Sequence, residues 1–189
     1  MSDIKKMAHT IQEVEANPGL IDETYTLLNG RHNILYQFVM RYDDYIYNTH
    51  DYGTGDALTM IESHTLSFID DHPGTTVTEL ASFWSKTKGA ISQIVSRLER
   101  YGLIEKRKAP DNGKTVLLYA TETGKKASTA HKMYDILDIT KTMGELGKEC
   151  SPDDIDTFFR VLSVYNDVIT RDFEENNISK RQGRRKHKK

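Results

Sequence analysis

Apolar residues return at three- and four-residue steps between Asp22 and Tyr47: Leu27, Leu28, Ile34, Leu35, Phe38, Val39, Tyr42 and Ile46. That is the period of one helix face, and it predicts a helix of more than 20 residues. Thr49–Asp56 is rich in Gly and Asp and reads as a loop. Residues 57–72 carry Met60, Ile61, Leu66 and Ile69 at helical spacing, and Pro73 and Gly74 stop them. A short third helix starts at Thr76, with Glu79 at capping-box distance. A fourth spans 88–101, with Ile91, Ile94, Val95 and Leu98 turned inward. Leu103–Lys108 and Thr115–Thr121 read as strands, and Asn112-Gly113 between them suits a tight hairpin turn. Residues 122–147 form a fifth helical stretch. A sixth opens with Ser151 as cap, Pro152 at the first position and Asp154 three residues on.

Three helices followed by a hairpin make a winged helix-turn-helix. The expected class is mainly α with a small two-stranded wing, a winged helix-turn-helix lobe beside a long-helix dimerisation domain. The expected boundaries are a polar leader at 1–21, long helices at 22–48 and 123–177, the winged lobe at 49–122 and a basic, disordered tail at 178–189.

Charge sharpens this picture. The 189 residues hold 26 Lys and Arg against 28 Asp and Glu, a formal charge of −2. The last eleven residues contain seven of the bases and no acid, so residues 1–178 carry 19 bases against 28 acids, or −9. An acidic body binds nucleic acid only through local basic patches. Cys150 is the single cysteine, which excludes an intrachain disulfide and a cysteine-based zinc cluster. No apolar signal-peptide core and no membrane-length apolar run is visible, so the expected compartment is the cytoplasm.

The outer face of the fourth helix carries Lys88, Ser92, Gln93, Ser96, Arg97 and Arg100, with one acid, Glu99. Taken alone, an ordinary solvated face explains this as well as a DNA-reading face does. The short capped helix before it and the basic hairpin after it favour DNA. A major groove admits one helix, where Gln93 pairs with adenine, Arg97 with guanine, and Ser92 or Ser96 with either. Lys88 and the helix N-terminus suit phosphate, and Gly89 lets the backbone approach closely. Lys86 and Thr87 in the preceding turn join this set. Arg107, Lys108 and Lys114 on the hairpin suit phosphate or the minor groove.

The succession "LA", "ISQIVSRLERYGLIEK", a turn, "YAT" and "ETG" resembles the core of MarR-type transcriptional regulators. The resemblance implies a cytoplasmic bacterial repressor acting as a homodimer on a pseudo-palindromic operator. Its first, fifth and sixth helices would form the dimerisation domain, with Phe158, Phe159, Leu162, Tyr165 and Ile169 in the interface. The length of those apolar stripes agrees, because they exceed what a winged lobe of this size covers. Lys114 stands where the family usually has a wing-tip arginine, so contacts there are expected to be weaker or limited to phosphate.

Many relatives respond to a small lipophilic effector. Tyr42, Tyr45, His64 and Trp84 are the candidate lining, with core and interface packing as the open alternative. His32, His50, His64, His72 and His131 show no metal-type pair in the sequence, so no metal and no cofactor are expected. No nucleophile elbow, phosphate loop or HExxH is present, so no catalytic residue and no enzyme is expected. The expected partners are double-stranded DNA, a second copy of the chain and a small effector, with no membrane. A winged protein-interaction module without specific DNA binding is the alternative from another class.

Overall fold

The computed structural model describes residues 11–186, apart from Thr54 and Asp111. Helix α1 (Ile11–Ala16) and a helical turn (Pro18–Leu20) lead into α2 (Ile21–Tyr47). Then come β1 (Thr49–Asp51), β2 (Ala57–Thr59), α3 (Met60–Asp71), α4 (Val77–Phe83), α5 (Lys88–Arg100), β3 (Ile104–Ala109), β4 (Asn112–Ala120), α6 (Glu122–Leu146) and α7 (Pro152–Lys186). The fold is mainly helical with a small antiparallel wing. Two compact units divide the chain, one ending at Lys132 and one beginning at Met133, so α2 falls within the first. No described helix is long and apolar enough to cross a membrane.

The first unit holds the core: Leu58, Leu66, Ile69, Leu80, Ile91, Val95, Leu98, Leu103, Ile104 and Leu118 are buried together. Three of the four apolar positions expected on the fourth helix, Ile91, Val95 and Leu98, are sealed, and Ile94 packs against them half-buried. Thr76 and Glu79 make the reciprocal capping box that starts α4. The carboxyl of Glu79 is held below its ordinary value by the Thr76 hydroxyl and amide.

Four elements differ from expectation. Thr49–Asp56 was expected as a loop, yet β1 and β2 pair antiparallel, His50 opposite Leu58. Strands of three residues are too short to show an alternation, which hid them. The helix expected from Ala57 starts at Met60, because Thr59 and Glu62 form a second capping box. The hairpin turn is not Asn112-Gly113: Ala109 pairs with Asn112, and β4 already contains both residues. Pro110 presets the backbone for the first turn position, and a register shift at Lys108/Ala109 absorbs the offset. Lastly, the expected disordered tail continues α7 as helix to Lys186. A further link was not foreseen. The Gly74 amide donates to the Leu118 carbonyl at 2.8 Å, and the Leu118 amide donates to Thr75 at 2.9 Å, which ties the approach to α4 onto the wing.

Candidate nucleic-acid interface

The turn between α4 and α5 is short and conformationally costly. Ser85 takes φ of 50°, a left-handed value unusual for a residue with a side chain. The Lys86 amide donates to the Ala81 carbonyl at 3.0 Å and closes the turn. Thr87 caps α5, its hydroxyl accepting from the Ala90 amide at 3.2 Å. At the other end, Leu103 N–H reaches Leu98 O at 3.0 Å and Gly102 adopts φ of 69°, the left-handed terminator of a Schellman motif. Both ends of α5 are thus fixed by local chemistry, and its core stripe sets which face looks out.

The outward face matches expectation in most of its residues. Lys86, Thr87, Lys88, Gly89, Ser92, Gln93 and Ser96 are all exposed. Ser92, Gln93, Ser96, Arg97 and Arg100 line one shallow surface concavity. Glu99 is turned to the wing, where the Lys106 ammonium donates to its carboxylate at 2.6 Å. Carboxylate is therefore withdrawn from the face that would meet phosphate.

Arg97 is held differently from its neighbours. Its Nη1 pairs with Glu62 Oε1 at 3.1 Å, and Glu62 on α3 is buried. Nε donates to the Tyr101 hydroxyl at 3.1 Å, and Nη2 to the Ala57 carbonyl at 3.4 Å. The hydrogen bond to Tyr101 and the Glu62 charge push the guanidinium pKa above its ordinary value. This tether was invisible in sequence, because its partners lie in β2 and α3, far from the recognition stretch.

On the wing, Arg107, Lys108 and Lys114 are exposed. Arg107 lies over the Tyr119 ring at 4.4 Å and forms an ion pair with Glu105. Lys108 pairs across the ladder with Val116.

Residues 58–114 match a protein-family model described as MarR family. The matched stretch is similar to that family over less than a third of the chain. An uncharacterized HTH-type transcriptional regulator, YhjH of Bacillus subtilis, is 34% identical over 84 residues. That alignment spans 44% of this chain and about half, 48%, of the relative. Among solved structures, the transcriptional regulator SlyA superposes with a TM-score of 0.61 at 22% identity, over 75% of this chain and 96% of its own. FabT of Streptococcus pneumoniae, solved in complex with DNA, gives 0.55 at 19% identity, over 77% and 96%. At these identities the structures establish a shared fold.

The first unit also gathers rings that the sequence scatters. His64 on α3 and His131 on α6, far apart in the sequence, meet edge to face, centroids 4.6 Å apart. One ring nitrogen of each lies within 4.8 Å of the other. Tyr52 meets His131 at 5.0 Å, and Trp84 meets His64 at 6.3 Å. The Trp84 indole N–H is buried without a hydrogen-bond partner among the described residues. Of the four candidate pocket residues, His64 and Trp84 are thereby brought together. Tyr42 and Tyr45 contact each other at 5.6 Å on α2, where both are exposed.

Burial, with the nearby charges of His64, His50 and Lys132, pushes the His131 pKa down from 6.5 to about 4. Between those values the unfolded chain binds a proton that the folded chain refuses. Stability should therefore fall as the pH drops from about 6.5 towards 4, by up to about 3 kcal/mol, and be fully present above that window. Urea midpoints measured across pH 4–7.5 should show this slope, and His131→Leu should flatten it. An equal slope in both proteins would contradict the assignment.

Proposed function

We propose that the chain is a sequence-specific, DNA-binding transcriptional regulator, a repressor that acts as a homodimer on a pseudo-palindromic operator. It is a non-enzymatic protein on this reading. The observation that carries the proposal is the outer face of α5: exposed Ser92, Gln93 and Ser96, preceded by Lys86 and Lys88, with the helix's one acid paired away to Lys106. A face without free carboxylate suits the phosphate-lined groove, and its amide and hydroxyls suit base edges. The DNA-bound state of FabT, a protein of the same fold, supports it. Arg107, Lys108 and Lys114 are the wing's contacts on this reading.

The homodimer is supported by apolar residues left open in the single chain. On α7, Phe158 and Phe159 are about half exposed, and so is Ile169. On α2, Ile34, Phe38 and Val39 are similarly open. Long helices rarely leave such stripes in water; another surface usually covers them. The ring cluster of Tyr52, His64, Trp84 and His131 supports response to a small effector.

Substitution separates the two kinds of contact. Gln93→Ala should weaken operator binding by about five- to a hundredfold and relax preference at one base pair. Lys88→Ala should weaken binding to all sequences alike and reduce the log–log salt slope by about 0.9. Both changes are read by fluorescence anisotropy. Were neither to alter binding, α5 would not be the reading helix. The interaction-module reading, which the charge of −9 on residues 1–178 favours, would then gain.

A further inference from the structure

Arg97 sits on the proposed reading face with its side chain 36% exposed, yet its guanidinium is held by the protein's own groups. Three elements hold it: the Glu62 carboxylate of α3, the Ala57 carbonyl of β2 and the Tyr101 hydroxyl just past α5. Glu62 serves two helices at once. Its Oε2 accepts from the Thr59 amide at 2.9 Å to complete the cap of α3, while Oε1 takes Arg97. A carboxylate this buried needs its cation, since a lone buried charge is strongly destabilising. The Tyr101 ring adds a face to the guanidinium, at 5.5 Å.

We infer that Arg97 is a positioning residue, not a base reader: through Glu62 it fixes the rotation of α5 about its axis, and so the direction in which Gln93 and its neighbouring serines face. This rests on the DNA-reading proposal, and it removes Arg97 from the set of base contacts. The core stripe of α5 fixes which side is inward but leaves small rotations open. A charge-paired, three-point anchor on the outer flank removes that freedom. Because its charge is already matched by Glu62, Arg97 has little to offer a phosphate. Arg97→Glu is a poor test, because it sets a second carboxylate against a buried one.

The test uses the full chain, Glu62→Gln, Arg97→Met and the double variant. Each is unfolded in urea without DNA and titrated with the duplex that the wild type selects from a random-sequence library. The two substitutions should be non-additive in unfolding, the double variant being no less stable than the worse single one, since Met and Gln leave no unpaired charge. Each single variant should bind the selected duplex at least about tenfold more weakly, with the same preferred sequence and a salt slope changed by much less than the 0.9 of a lost phosphate contact. Base preference relaxed at one position by Arg97→Met, with Glu62→Gln binding as the wild type does, would overturn the inference and make Arg97 a reader. Additive effects on unfolding would overturn it whatever the DNA result. A wild type that selects no sequence would defeat the DNA-reading proposal itself, and the unfolding cycle would still decide whether Arg97 and Glu62 are coupled.

Discussion

Gly124→Ala should cost the fold at least about 3 kcal/mol, the upper range for forcing an extra methyl into a packed site. A Cβ at residue 124 would lie 1.9 Å from the Leu103 carbonyl oxygen and 2.9 Å from its carbon. Nothing flexible can yield there, because the obstacle is backbone. That carbonyl already accepts from the Thr121 amide at 3.0 Å, and the Thr121 hydroxyl donates to the Gly102 carbonyl at 2.7 Å. The same hydroxyl accepts from the Gly124 amide at 3.0 Å. The first turn of α6 is therefore stitched to the turn that ends α5, and relief of the clash would break those bonds together. The expected readout is a thermal midpoint lowered by roughly 6–12 °C, from the usual scaling for a chain of this size. DNA binding should weaken in parallel, because the start of α6 and the end of α5 share this junction. A midpoint within a degree or two of the wild type would mean that α6 and the turn that ends α5 do not approach as described.

Phe159→Glu combined with Leu162→Glu should convert the proposed homodimer to monomer. Phe159 is half exposed and Leu162 half-buried on α7 in the single chain, so two carboxylates there should disturb little within it. In an interface they would be desolvated against apolar residues, at several kcal/mol each. Sedimentation velocity should report the 21.7 kDa chain instead of twice that mass. Affinity for a two-half-site operator should fall by roughly a hundredfold or more, since the second lobe would no longer act intramolecularly. A circular dichroism spectrum like that of the wild type would separate this from unfolding. A dimer that survives both charges would remove α7 from the interface.

Much of this architecture was legible in the sequence, and the reason is local. The stripe Ile91, Val95 and Leu98, the Thr76–Glu79 box and the Ser151–Pro152 start are short-range signals, and the structure carries each of them. Local signals also misled. Asn112-Gly113 has strong turn chemistry, yet Pro110 and the register of the wing place the turn before it. What stayed hidden depended on distance along the chain. Arg97 looked like a groove residue because its helix said so, and only tertiary packing brings Glu62 and Ala57 to it. His64 and His131 seemed scattered for the same reason. Gly124 belonged to a recognisable "ETG" pattern, but the carbonyl that requires a glycine there belongs to Leu103, on the far side of the wing.

The central claim is that the α5 face reads DNA sequence. It is tested most directly by fluorescence anisotropy of the full chain against duplex DNA from upstream of its own gene, with a scrambled duplex of equal length, at several salt concentrations. The account predicts at least about a thousandfold preference for the upstream duplex, within the range of specific over non-specific binding. Equal affinity for both duplexes, with a steep salt slope that vanishes when residues 179–189 are removed, would contradict it and assign the binding to the basic end of the chain.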